Sequence, residues 1–419
     1  MSPRAGRLLL AMAVAVALTS LAPALPGTPL LTRARAGTEP PGLPLSPAER
    51  AQVLSHGPWP GATPGDPGNR FSGLAPAQAL GRLLFDEPAL SGDGRLACRS
   101  CHDPARGFTD GLPTAQGRAP LARNTQGLND LALQRWFGWD GGSDSLWAAS
   151  LRPLLDPREM GTTAAGVARA IRERPALAEL LARARAAAGP GAFPPGTPPD
   201  EADLVDAAKA IGAWLASLRS PRTAFDDFRD ALARDDHAAT ARYPAAALRG
   251  LRLFIGEGRC HLCHVGPAFS NGEFHDIGMP FMTGPGQVDP GRHAGLRRLL
   301  ADRHNLGGGF ADPPPPGTPP ERDPALKTRT VNPQHRNFGE WRTPSLRGLS
   351  ASAPYMHDGR LPSLAAVIDH YDRIDTERLH ADGESLLRPL RLSPAQRADL
   401  LAFLLSLDPQ PSPNAPRLR

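Results

Sequence analysis

All four cysteines of the 419-residue chain fall in two copies of one pattern, Cys98-Arg-Ser-Cys101-His102 and Cys260-His-Leu-Cys263-His264. Three chemistries use thiols at this spacing. A tetrahedral zinc site needs four ligands, and the first copy offers three, with no Cys or His pair at a suitable distance beyond it. A redox dithiol needs no histidine after it. Covalent haem attachment uses the whole motif: two thiols about one helical turn apart add to the vinyl groups on one porphyrin edge, and the next residue supplies the imidazole under the iron. The pair of motifs therefore reads as two covalently bound haem c groups, one held by Cys98 and Cys101 and one by Cys260 and Cys263. His102 and His264 are the expected iron ligands, and His261 is a loop residue between two thioethers.

The elements that must position these motifs are helical. The stretches "LGRLLFDEPALSGDGRLACRSCHDPARGFTDG" and "RGLRLFIGEGRCHLCHVGPAFSNG" share a Leu-Phe helix, then the motif, then Pro-Ala and Phe-[Thr/Ser]-[Asp/Asn]-Gly. This predicts two cytochrome c-like haem domains related by internal duplication, at 73–240 and 241–410. Apolar residues recur at three and four in "DEADLVDAAKAIGAWLASLRS", and Pro175 should break "TTAAGVARAIRERPALAELLARARAAA". Ser46-Pro47 and "SPAQRADLLAFLLSL" carry helix-start signals. With 48 prolines and 43 glycines and no convincing strand pair, the class is mostly α with long loops; "GGGFADPPPPGTPPERDP" is one, expected on the surface.

Residues 1–24 read as an export signal: "MSPRAGR" supplies positive charge, "LLLAMAVAVALTSLA" is a short apolar run, and Ala22-Pro-Ala24 offers a small-x-small cleavage site. That predicts a periplasmic protein with no stable membrane span, followed by a Pro-rich lead over 25–72; residues 411–419 are a tail. The net charge of +5 comes from scattered arginines rather than a basic stripe, which argues against nucleic acid as a partner.

The ordered motifs "RNTQGLND", "WFGWDGGSDSLW", "PLLDPREM", "CHLCHVGPAFSNGEFHDIG" and "WRTPSLRGLSASAPYMHDGRLPSLAAVIDHY" resemble the di-haem cytochrome c peroxidase and MauG superfamily, over roughly Leu80 to Leu407. The resemblance implies a peroxide-reacting iron above His102 and an electron-handling iron above His264. It implies that Glu159 is the distal carboxylate that moves the peroxide proton, a task heterolysis of an O–O bond requires. The family's glutamine ten residues earlier is Ala149 here. Trp139 matches the tryptophan between the haems, with Trp136 close enough in sequence to compete. Asn124, with the carbonyls of Arg342 and Pro344, matches a calcium site at the domain interface.

The sixth ligand of the second iron matches Tyr371, with Met356 as the rival. A thioether suits an iron that accepts electrons, whereas a phenolate favours the ferric and higher states. His370 should point elsewhere, because adjacent helix residues do not share a face. The loop "DGLPTAQGRAPLARNT" has no distal histidine; Gln116 stands near that place. The resemblance thus points to the tyrosine-ligated MauG-like branch, with wording nearer its MbnH-type members. That branch implies use of hydrogen peroxide to form a high-valent di-haem state that oxidises a residue, a tryptophan by analogy, of a periplasmic partner protein. The alternative is a cytochrome c peroxidase that reduces peroxide with electrons from a small cytochrome or cupredoxin.

Overall fold

The computed structural model describes residues 45–410 apart from 63, 281, 285 and 379–385. The expected export signal, the first part of the Pro-rich lead and the tail lie outside them. The helices are α1 Pro47–Leu54, α2 Ala75–Phe85, α3 Leu146–Leu155, α4 Ala164–Arg172, α5 Pro175–Ala188, α6 Pro199–Leu215, α7 Ala224–Ala233, α8 His237–Thr240, α9 Ala245–Ile255, α10 Arg292–Ala301, α11 Leu326–Thr330, α12 Leu364–Asp372 and α13 Pro394–Leu405. The chain is mostly α, as its periodicity predicts.

Helix ends follow the local signals. The Ser46 hydroxyl accepts from the Glu49 amide at 3.2 Å while the Glu49 carboxylate accepts from the Ser46 amide at 2.7 Å, a reciprocal cap with Pro47 at the first helical position. Ser393 and Gln396 repeat the arrangement at α13. Pro175 opens α5 rather than interrupting a longer helix, because it has no N–H to continue the ladder of α4.

Two apolar cores organise the helices. The first gathers Leu80 and Leu84 of α2, Trp147 and Leu151 of α3 and Val205 and Ala208 of α6. The second gathers Leu251 and Phe254 of α9, Ile368 of α12 and Phe403 of α13, with Phe269 beside them. A close helix crossing stands in each: a Cβ on Gly81 of α2 would lie 2.1 Å from the Ala210 carbonyl oxygen of α6, and one on Gly250 of α9 would lie 1.9 Å from that of Asp399 in α13. Only glycine permits either approach.

The cores interleave in sequence. Val53 of α1 and Phe225 and Phe228 of α7 join the second core, whereas Phe310 is buried in the first. Phe310 corrects the expectation of a purely surface loop: Lys209 of α6, itself fully buried, donates to its carbonyl at 2.8 Å and to Asp312 at 2.5 Å. A buried ammonium needs such partners, and they pin the loop's start before its prolines run out to solvent.

Strand pairs also exist where none is legible in the sequence. β1 (Phe274–His275) pairs antiparallel with β4 (Trp341–Arg342), and β2 (Met282–Gly284) with β3 (Gln287–Val288). Such short strands are too brief to show a period of two. Among the described residues no helix is long and apolar enough to cross a membrane.

Candidate functional site

The two Cys-x-x-Cys-His motifs adopt the same local structure. Each begins in a single 3-10 turn, Cys98–Ser100 and Cys260–Leu262, in which the histidine amide donates back to the first cysteine carbonyl, at 3.0 Å for His102 and 2.9 Å for His264. The rings are then oriented alike: Nδ1 of His102 donates to the Phe108 carbonyl at 3.0 Å, and Nδ1 of His264 to that of Phe269 at 2.9 Å. A carbonyl can only accept, so Nδ1 carries the proton and Nε2 keeps its lone pair, the tautomer a metal ligand needs. Burial lowers the His102 pKa and pulls that of His264 down to about 4, so both rings stay neutral at physiological pH.

None of the four cysteines is paired in a disulfide. Burial pushes the Cys98 and Cys260 thiols up to about 12 and Cys101 up to about 11. A cavity of about 630 Å³ is lined by Cys260, Cys263, His264 and Tyr371 together with the apolar Phe254 and Ile368. Its size lies within the usual range for cofactor pockets. Two thiols, one imidazole lone pair and an apolar wall fit a covalently attached haem.

Glu159 is positioned by the end of α3. Pro153 sits in the last turn, the helix stops at Leu155, and the chain turns back through bonds from the Met160 amide to the Pro153 carbonyl (3.0 Å) and from the Thr162 amide to that of Leu154 (2.9 Å). The loop expected to lack a distal histidine closes over this turn: the Arg118 amide donates to the Glu159 carbonyl at 3.1 Å and the Ala119 amide to that of Arg158 at 2.9 Å. A Cβ on Gly117 would lie 2.4 Å from the Arg158 carbonyl oxygen, so the loop can sit this close only with glycine there. The Gln116 side chain turns aside, Nε2 donating to the Thr114 carbonyl at 3.4 Å, while the backbone carbonyl of Gln116 accepts from the Cys101 thiol at 3.7 Å. Behind the dominant effect of burial, the Glu159 charge is felt by Cys98, Cys101 and the His102 ring, so the carboxylate stands close to the first motif. Its partner is Arg152, Nη1 to Oε1 2.6 Å. Arg152 lies one turn along α3 from Ala149, a position with no side-chain amide to offer.

Tyr371 lies on α12. Burial raises its phenol pKa, and the Cys260 and Cys263 thiols add to the effect, so the ring faces the second motif. His370 points away, Nε2 donating to the Ile277 carbonyl at 2.8 Å. Met356, in a left-handed backbone conformation at φ +74°, lines the same cavity.

Trp139 joins the two halves of the site. Its indole N–H donates to the Asn124 carbonyl at 2.9 Å, and its own carbonyl accepts from the Arg342 amide at 2.9 Å. It lines the cavity, whereas Trp136 is packed on Leu296 and Leu299 beneath the cations of Arg292 and Lys327. Asn124, Arg342 and Pro344 line the cavity too. Asn124 turns Nδ2 to the Leu112 carbonyl at 2.8 Å, which leaves its Oδ1, the atom a hard cation would use, beside the carbonyls of Arg342 and Pro344.

Some functional candidates carry no sequence motif: Arg152, Gly117 and the Arg342 side chain. The indole of Trp341 stacks on His357 at 3.7 Å and 11° and takes the Arg123 guanidinium over its ring at 5.0 Å. The "EWRTPS" stretch could have pointed to Trp341; the stacking partner could come only from the fold.

A mostly α chain with two such motifs and neutral, pre-oriented imidazoles defines a c-type haem oxidoreductase. Residues 75–234 match the family described as di-haem cytochrome c peroxidase. Over 336 residues the chain is 32% identical to the methylamine utilization protein MauG of Methylorubrum extorquens, covering 80% of this chain and 78% of that one. It is 28% identical over 373 residues to the cytochrome-c peroxidase IdrP2 of Pseudomonas sp. (strain SCT), covering 87% and 88%. A solved MauG-like protein associated with microbial copper homeostasis superposes with a TM-score of 0.58 at 25% identity, covering 80% of this chain and 90% of that chain. The chain belongs to the di-haem cytochrome c peroxidase and MauG family, and with it to the haem peroxidase-type enzymes that carry two haem c groups.

Proposed function

We propose that this protein is an exported, periplasmic MauG-like oxidase that uses hydrogen peroxide to oxidise a residue, a tryptophan by analogy, of a partner protein. The two bound haems supply the irons, one that reacts with peroxide and both that share the two oxidising equivalents. His102 would hold the first iron from below, and Glu159 would take the proton from the near oxygen of peroxide and return it to the leaving oxygen. Arg152 and the backbone bonds of residues 118–119 keep that carboxylate turn in place. His264 and Tyr371 would close the second iron to ligands, and Trp139 would relay charge between the two regions. On this reading one duplicated haem unit gave the two domains expected at 73–240 and 241–410, although α7 packs with the second core and Phe310 with the first; the matching motif turns and glycine crossings support the duplication. A calcium ion held by Asn124 Oδ1 and the carbonyls of Arg342 and Pro344 would belong to the same reading.

The observation that carries the reading is Tyr371 on the cavity that holds Cys260, Cys263 and His264, since a phenolate bound to the iron would suit one that stores oxidation rather than one that accepts electrons. Met356 on the same cavity favours the second reading, a cytochrome c peroxidase. Mixing the ferric holoprotein with one equivalent of peroxide separates the two: the oxidase should show both haem spectra changing together, with slow consumption of reduced cytochrome c. A porphyrin radical confined to one haem, with fast cytochrome turnover, would overturn it.

A further inference from the structure

Arg342 is a buried cation without a carboxylate. It lies on β4, 3% exposed, with Nε on the Gly138 carbonyl at 3.1 Å and Nη1 only 3.5 Å from that of Thr343. Burial alone lowers its pKa, to about 10, with no neighbouring charge to oppose it. Other arginines here, wholly or partly buried, have carboxylates nearby. Arg347 is clamped by both oxygens of Asp226 at 2.8 and 2.9 Å, and Arg123 pairs with Asp289 at 2.7 Å. Arg292, also low at about 10, lies over the Phe274 ring at 3.8 Å and feels the charges of Asp140, Glu273 and Glu340.

An unpaired guanidinium inside a protein is costly, and a chain that keeps one gains from it only when an anion arrives. Arg342 lines the cavity that also holds Cys260, Cys263 and His264. The group expected there brings two carboxylates of its own on the porphyrin edge, and a guanidinium is the donor best matched to a carboxylate.

We propose that Arg342 binds a propionate carboxylate of the haem attached at Cys260 and Cys263, and so holds that haem's charged edge beside Trp139. The proposal rests on the haem reading of the second motif. Its backbone already belongs to the relay: the Arg342 amide donates to the Trp139 carbonyl, and its Nε to the Gly138 carbonyl one residue before. Arg342 is thus a cofactor-binding residue that couples the haem's position to the tryptophan.

The test uses the full-length holoprotein with Arg342→Met, Arg342→Lys and, as a control on the exposed cavity rim, Arg388→Gln. Resonance Raman reads the propionate bending mode, and a spectroelectrochemical titration reads the second haem's midpoint potential. Arg342→Met should shift the mode and lower the potential, Arg342→Lys should restore both in part, and Arg388→Gln should leave both at wild-type values. If Arg342→Met does not fold, Arg342→Lys carries the test through a partial shift of the mode. A variant at Arg342 that keeps both haems with an unmoved mode and potential overturns the proposal. A wild-type protein with one haem, none of it on Cys260 and Cys263, overturns the haem reading instead.

Discussion

The two motif turns are almost the same structure in different surroundings. Both fix the imidazole tautomer through a carbonyl five or six residues on. Beyond that the regions part: the first presents a carboxylate tethered to the half-exposed Arg152, and the second a partly buried phenol on a cavity walled by Phe254 and Ile368. On the proposed reading the first region would offer a carboxylate able to exchange protons with peroxide, and the second a phenol that would close its iron to peroxide. The attachment motifs are alike, so on this reading the difference between the two haems would come from the residues that distant segments bring to each.

That contrast breaks most directly at Glu159. Glu159→Gln keeps the shape and removes the base, so the peroxide reaction of the ferric protein should slow about 10²–10⁴-fold by stopped-flow absorbance, with haem content unchanged. A rate within a few-fold of wild type would remove Glu159 from the reaction. Arg152 is half exposed, so its unpairing should cost little stability.

Tyr371→Met sharpens the other side. A thioether in place of the phenol should raise the second haem's midpoint potential and move the protein toward peroxidase behaviour: faster oxidation of reduced cytochrome c and loss of partner oxidation, read by mass spectrometry of a co-expressed exported partner for added oxygen. An unchanged potential would show that Tyr371 is not the ligand and would return the assignment to Met356.

The parts of this contrast differ in how far the sequence shows them. The motif turns are local, five residues that bond to their own carbonyls, and the helix caps at Ser46 and Ser393 are likewise written in four residues each. Glu159 and Tyr371 become candidates only through ordered motifs that resemble a family, because nothing in "DPREM" or "IDHYD" alone separates a functional residue from a solvated or packed one. The Arg152 partner, the Gly117 approach and the unpaired Arg342 depend on how loops fold back over α3 and β4, contacts between segments far apart in the chain. The burial of Phe310 is hidden for the same reason: a prolyl loop is recognisable, but the lysine of α6 that anchors its first residues is not.

The helix crossings extend the comparison to stability. Gly81 and Gly250 hold equivalent places, yet the first crossing sits in a larger core and meets the Ala210 carbonyl, while the second meets Asp399, whose carboxylate pairs with Arg249 at 2.7 and 2.8 Å. Gly250→Ala pushes α13 outward and disturbs that pair as well as the packing of Phe403, whose Cβ would lie 2.8 Å from the new methyl. Overpacking of this kind costs about 1–3 kcal/mol, which for units of this size lowers the melting temperature by about 2–4 °C per kcal/mol. Both variants should melt lower than wild type by calorimetry of the holoprotein, Gly250→Ala by the larger margin and with the second haem's spectrum lost first. Equal drops would mean that the crossings respond alike despite their different neighbours, and no drop in either would mean that the backbones can part without cost.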